Sequence, residues 1–119
     1  MSSSKKIQRL GNSKQVSPAR KWCFTFNNYE EGDIDKIISS DSSIKYSIGK
    51  ETGENGTKHL QGYIEFDVKK RPTSIFKFTN KIHWEVALGT KEQNLIYTQK
   101  DGDYIQNFVE LIDVDEMYG

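Results

Sequence analysis

Lys21-Trp22-Cys23-Phe24-Thr25-Phe26-Asn27 alternates apolar and polar side chains along its whole length. Successive side chains of a strand point to opposite faces, so Trp22, Phe24 and Phe26 share one face and Cys23, Thr25 and Asn27 the other. The same period returns in Ile44, Tyr46 and Ile48, and in Leu60, Ile64 and Phe66 with Gly62 between them. Ile82, Trp84, Val86 and Leu88 show it a fourth time. Four segments with one apolar and one polar face predict a largely antiparallel sheet with helices packed on the apolar side. A short further strand is expected over Tyr104 to Phe108.

Between the strands the period lengthens. Glu30 to Ser40 sets Ile34, Ile37 and Ile38 at i, i+3 and i+4, with acids in the first turn where a helix dipole favours them. Arg71 to Phe78 carries Pro72 at a first helical position, followed by Ile75, Phe76 and Phe78. Thr90 to Lys100 has Thr90 as an N-cap, with Glu92 and Gln93 near the reciprocal capping position. Asp101-Gly102 ends it with a residue able to take positive φ. Thr52 to Thr57, with two glycines and an asparagine, reads as a loop. The order β-α-β-β-α-β-α-β predicts an α+β fold: a central antiparallel sheet of about five strands with flanking helices, in ferredoxin- or RRM-like topology.

The 119 residues suffice for one two-layer core and not for two. No apolar run nears the ~20 residues of a membrane-spanning helix, so no membrane partner is expected. The single Cys23 excludes a disulfide framework and a multi-cysteine zinc site, and suits a reducing compartment. Seventeen bases balance seventeen acids, but unevenly. Lys5, Lys6, Arg9, Lys14, Arg20 and Lys21 stand among the first 22 residues without an acid; Asp101, Asp103, Glu110, Asp113, Asp115 and Glu116 stand in the last 19 without a base. The expected organisation is a flexible basic arm over 1–19, one domain over 20–109 and an acidic tail or linker over 110–119. The arm suits nucleic-acid phosphate, a nuclear address or simple solvation.

Two constellations carry chemistry. In His59-Leu60-Gln61-Gly62-Tyr63-Ile64-Glu65-Phe66, His59 and Gln61 share the polar face about 6.5–7 Å apart. Glu51, at the start of the loop leading to His59, can add a carboxylate. One nitrogen and two oxygens suit Mg²⁺ or Mn²⁺ better than a closed zinc site, and three protein ligands leave positions open for water or phosphate. An ordinary polar surface pair has the same spacing. The second is Tyr97-Thr98-Gln99-Lys100, where i, i+3 spacing puts a phenol and an ammonium on adjacent helix surface. A phenol with a pKa of ~10 is about one part in a thousand ionised at pH 7, a handicap near ~4 kcal/mol that a nearby cation can offset. A half-buried core tyrosine fits the same pattern.

Phe24-Thr25-Phe26-Asn27-Asn28, His59-Leu60-Gln61-Gly62 and Tyr97 with Lys100 together resemble, in order, motifs I, II and III of the replication initiator (Rep) proteins of circular single-stranded DNA viruses, the circovirus-like group especially. The resemblance covers about residues 20 to 105. It implies the N-terminal HUH endonuclease domain of such a protein, with Tyr97 as nucleophile and Lys100 as the lysine one turn beyond it. His59 and Gln61 become metal ligands, with Glu51 as the acidic third and Glu54 as its rival. The superfamily's His-hydrophobic-His is here His-Leu-Gln, as the circovirus-like branch also shows.

The implied activity is metal-dependent nicking and rejoining of single-stranded origin DNA through a 5′-phosphotyrosine, leaving a 3′-hydroxyl for rolling-circle synthesis. The implied partners are a stem-loop origin and, in cis, a helicase domain. The isolated domain is expected to be a monomer and the full-length protein a homo-oligomer. The compartment is the host nucleus for a eukaryotic virus and otherwise the cytoplasm. On the polar face, Lys21, Thr25, Asn27, Asn28, Tyr63 and His83 are expected to touch DNA, with Tyr63 and His83 stacking on bases. Lys69, Lys70 and Arg71 form a phosphate-binding patch. The rival reading is a non-catalytic, RRM-like nucleic-acid-binding module, which needs exposed aromatics on its central strands and has no use for Tyr97.

Overall fold

A computed structural model describes residues 17–108. The acidic tail expected over 110–119, and the basic arm apart from its last three residues, lie outside the described residues. The elements are β1 (Ala19–Asn27), α1 (Asp33–Ser40), β2 (Lys45–Thr52), β3 (Lys58–Lys70), α2 (Pro72–Ile75), β4 (Ile82–Val86), α3 (Lys91–Thr98) and β5 (Tyr104–Gln106). They form one sheet in the order β4-β1-β3-β2-β5, every neighbouring pair antiparallel. β3 lies between β1 and β2, so those two run parallel, joined through α1 across the strand that splits them. This is the split βαβ arrangement expected of ferredoxin-like topology, and the α+β class is as the alternation predicted.

The alternation sorts the side chains. Trp22, Phe24 and Phe26 of β1, Ile48 of β2, Leu60, Ile64 and Phe66 of β3 and Ile82 of β4 fill one core with Ile37 of α1 and Phe76. Fully burying an aromatic or large aliphatic side chain stabilises by about 1.5–3 kcal/mol, so this single layer dominates the folding free energy. Gly62 faces Phe24 across the β1–β3 ladder, and a Cβ there would lie 2.1 Å from the Phe24 ring. The glycine is the hollow into which that ring lies.

Several boundaries shift for local reasons. α1 starts at Asp33 rather than Glu30, because Gly32 at φ 95° makes a turn and the Glu30 N–H donates to the Asp33 carboxylate at 2.7 Å. α2 is one turn rather than two. Beyond Ile75 the chain leaves helical geometry so that Phe76 can stack on Trp84, ring centroids 5.0 Å apart. β4 ends at Val86, and Leu88 is 84% exposed in the bend toward α3 rather than part of the strand. α3 has the predicted reciprocal cap between Thr90 and Gln93 but ends at Thr98, which leaves Lys100 in the following turn. β2 runs through Thr52, so Glu51 lies on a strand and not in the loop expected there. β5 stops at Gln106, short of the expected Phe108. No helix among the described residues is long and apolar enough to cross a membrane.

The alternation accounts for helices on the apolar side of the sheet; α3 crosses the polar face instead, over β3 and β2, as a helix-borne Tyr97 acting at polar-face ligands requires. That crossing builds the site.

Candidate active site

Ladder register places the residues. On the polar face Asn27, His59 and Glu51 stand side by side across β1, β3 and β2; Thr25, Gln61 and Gly49 form the next row, and Cys23, Tyr63 and Ser47 the third. Glu51 Oε1 lies 2.9 Å from His59 Nε2, and Glu51 Oε2 accepts a hydrogen bond from Lys100 Nζ. Lys100 Nζ also sits 4.0 Å from the centroid of the Tyr97 ring. The Tyr97 phenol is about half exposed. Thus the nucleophile candidate, its cation, a carboxylate and an imidazole form one continuous line of contacts.

The electrostatics of that line are consistent. Burial pushes the Glu51 carboxyl up, but hydrogen bonds from Lys100 and His59 outweigh it and hold the group below the ordinary glutamate value. Burial pulls Lys100 down, and its bond to Glu51 more than compensates, so the lysine stays charged to higher pH. Gln61 is held on both sides: its Nε2 donates to the Phe24 carbonyl at 3.3 Å, and its Oε1 accepts from Thr25 Oγ1 at 3.4 Å.

The donor set fits a hard divalent cation. Two ligands at ~2.1 Å in cis octahedral positions lie ~3 Å apart, close to the 2.9 Å between Glu51 Oε1 and His59 Nε2. Among the described residues no three His, Cys, Asp or Glu side chains form a metal-binding group, so a third protein donor beside Glu51 and His59 would come from another residue type, such as the Gln61 amide on the same face. Carboxylate, imidazole and amide together suit Mg²⁺ or Mn²⁺.

Residues 19–101 match the family described as "Putative viral replication protein" (Viral_Rep). The chain belongs to this viral replication protein family. Its relatives within the family include replication-associated proteins of circoviruses. Identity is 41% to that of beak and feather disease virus, over 78% of this chain and 33% of the relative. It is 38% to that of canary circovirus, over 76% and 32%, and 36% to that of porcine circovirus 2, over 86% and 32%. The chain therefore spans about a third of the length of these curated relatives. The circovirus-like Rep resemblance read from the three motifs is borne out.

The fold of this family member also sorts the remaining candidates. Asn27 lies beside His59, and Thr25 beside Gln61, both on the site face. Asn28 takes φ 57°, a left-handed conformation asparagine tolerates, and its N–H donates to the Lys58 carbonyl at 2.7 Å, closing the end of the ladder. Lys21 is exposed on the same face but three rows from Asn27. His83 stands opposite Thr25 and is exposed, its Nε2 2.9 Å from Glu85 Oε2. Glu54 is exposed in the β2–β3 turn, away from His59, whereas Glu51 touches it. Lys69 and Lys70 lie at the far end of β3 and Arg71 just past it, the first of them roughly 33 Å from His59 at a strand rise of ~3.3 Å per residue. Lys70 is bound to Asp41 at 2.8 Å and Asp67 at 3.3 Å. This patch is not part of the catalytic centre.

Tyr63 is a correction. Its position on the polar face is as expected, but the side chain is fully buried and stacks on Phe108, ring centroids 6.1 Å apart. Burial and the hydrogen bond to Glu65 push the phenol far above its ordinary value. With α3 and Phe108 on this face, no base can reach the ring. Cys23 is also half covered, its Sγ 3.0 Å from Asn94 Oδ1 of α3, and burial followed by Glu85 raises the thiol. It is a packed thiol. The contacts of Ser47 and Gly49 with Thr98 were missed by sequence reasoning. Their one local signal is a serine and a glycine on the polar face of a strand, Ser47-Ile48-Gly49, where a surface strand would favour β-branched or charged residues.

Proposed function

We propose that this domain nicks and rejoins single-stranded DNA at a stem-loop replication origin, with Tyr97 as nucleophile and Mg²⁺ or Mn²⁺ held by Glu51, His59 and Gln61. One observation carries the reading: Lys100 joins Tyr97 to Glu51 and His59 in a single line of contacts on the polar face of the sheet. A passive binding module has no need of that line, and the aromatics it would expose, Phe24, Phe26, Tyr63 and Phe66, are buried.

The bound cation supplies Lewis-acid polarisation of the scissile phosphate. The chain's own groups do the rest. Glu51, held ionised by its partners, keeps negative charge at the centre from mildly acidic pH upward. The Lys100 ammonium on the Tyr97 ring favours negative charge as it develops on the phenol oxygen. Thr25 and the Phe24 carbonyl hold the Gln61 amide in one orientation. The attacking phenol oxygen forms a bond to phosphorus and the bond to the 3′ oxygen breaks. The phenol proton passes to solvent and the departing oxygen takes one up, leaving a 3′-hydroxyl and a 5′-phosphotyrosine. One phosphodiester replaces another, so the step is near energy-neutral and the same site can reseal the strand.

Asn27, Thr25 and His83 share the site face, and in this reading they meet the strand near the scissile phosphate. The origin DNA and a helicase domain in cis are the partners this reading implies. A host nucleus is the implied compartment for a eukaryotic virus. The test is incubation with a labelled stem-loop origin oligonucleotide and Mn²⁺. A covalent protein–DNA adduct is expected, abolished in Tyr97→Phe and suppressed by chelator. An adduct undiminished in Tyr97→Phe refutes the nucleophile assignment.

A further inference from the structure

Three consecutive polar-face positions of β2 meet the end of α3 and the turn after it: Ser47 and Gly49 meet Thr98, the last residue of α3, and Glu51 meets Lys100 in that turn. Ser47 Oγ lies 2.7 Å from Thr98 Oγ1, and Thr98 Oγ1 donates to the Leu95 carbonyl at 3.0 Å. With its proton committed there, Thr98 accepts from Ser47, which in turn accepts from Gln99 Nε2 at 3.3 Å. Both hydroxyls are buried, at 0% and 3% exposure, so an unmade bond would leave a polar group stranded. At Gly49 a Cβ would stand 2.0 Å from the Thr98 carbonyl oxygen; only a residue without a side chain lets the helix end lie on the strand. One position further on, Glu51 takes Lys100.

We propose that Ser47, Gly49 and Thr98 are positioning residues that lock the register of the nucleophile-bearing helix on the sheet. The inference rests on the nicking reading above. None of the three touches the reacting atoms in it. A slip of one residue along α3 would translate its end by ~1.5 Å and rotate it by ~100°. That would carry Lys100 off Glu51 and break the Tyr97–Lys100–Glu51 line of contacts. Helical periodicity alone leaves that register open; the hydroxyl clasp and the bare glycine select one.

The test compares Thr98→Val, which keeps the shape and loses the hydroxyl, with Thr98→Ser, which keeps the hydroxyl. Single-turnover adduct formation is measured at saturating origin oligonucleotide, and oligonucleotide affinity separately in the Tyr97→Phe background. Misplacement of a reacting group by ~1 Å costs up to ~100-fold in rate. Thr98→Val is therefore expected to lose at least about tenfold in rate with affinity unchanged within about twofold, and Thr98→Ser to recover most of the loss. Gly49→Ala should lose more, since the Thr98 carbonyl must retreat from 2.0 Å to an ordinary 3.4 Å. A wild-type rate in Thr98→Val, equal losses of rate and affinity, or failure of Thr98→Ser to rescue overturns the proposal.

A DNA-free readout separates this from the nicking reading. Nuclear Overhauser contacts from Gly49 to Thr98, and from the Lys100 ε-protons to the Tyr97 ring, report the register directly. They should weaken in Thr98→Val. Their persistence in that variant overturns the positioning role, even if the wild-type chain were to form no adduct. Absence of a wild-type adduct overturns the nicking reading instead.

Discussion

Glu51→Gln removes the charge on which Lys100 and His59 both converge, while keeping the shape of the side chain. The Glu51 side chain is 11% exposed and the Lys100 side chain 38%. A well-shielded charged hydrogen bond contributes about 1.5–3 kcal/mol. A lysine more than a third exposed regains water when its partner is lost, so its share falls toward the ~0.2–1 kcal/mol of surface pairs. Adding a modest contribution from His59, the loss at neutral pH is about 1–2 kcal/mol, or roughly 5–10 °C in Tm for a domain of this size.

The pH dependence of that loss has a definite sign. The native Glu51 carboxyl is held below its unfolded value, so its stabilisation is fully present above the ordinary 4.5 and fades as pH falls through the depressed native value. The Tm gap between wild type and Glu51→Gln should stand open at pH 7 and close in acid. Mn²⁺ affinity, read by calorimetric titration, should fall by at least ~10–100-fold, the range for losing even an outer partner of a metal site. Glu54→Gln is the control. That residue is exposed in the β2–β3 turn, so neither quantity should move by more than ~0.5 kcal/mol. A Mn²⁺ site that survives Glu51→Gln but not Glu54→Gln, or a Tm gap that widens on acidification, would refute the reasoning.

Two further substitutions test the sheet that carries the site. Gly62→Ala forces a Cβ to 2.1–2.7 Å from three atoms of the Phe24 ring, which Trp84 backs at 5.0 Å. Overpacking of this kind costs about 1–3 kcal/mol, and chemical denaturation should show a lowered midpoint with an unchanged slope. Tyr63→Phe deletes a buried hydroxyl that Glu65 accepts, so stability should drop by about 1 kcal/mol while affinity for single-stranded DNA stays put. A fall in DNA affinity measured by fluorescence anisotropy would restore Tyr63 as a base-stacking residue.

The strands, their two faces and the N-terminal cap of α3 were legible because each depends on neighbours close in sequence. Alternation at Trp22-Cys23-Phe24-Thr25-Phe26 is a local property, and so is the reciprocal cap of Thr90 and Gln93. The pairing of His59 with Gln61 on one face followed from the same period. Helix lengths were less legible, because Phe76 gains more by stacking on Trp84 than by prolonging α2, and that gain is tertiary.

The chain by itself determined which side chains could serve: a phenol and an ammonium three residues apart, and an imidazole and an amide two apart. Only the folded sheet decided which of them meet. Glu51 and Lys100 are 49 residues apart, and Ser47 and Thr98 are 51 apart. Their contacts exist because β2 pairs with β3 and because α3 crosses the polar face rather than the apolar one. That choice of face buried Tyr63 and brought Lys100, with the Tyr97 ring against it, to Glu51. It depends on a glycine that leaves room for a helix end and on two buried hydroxyls that satisfy each other, and local periodicity carries no record of either.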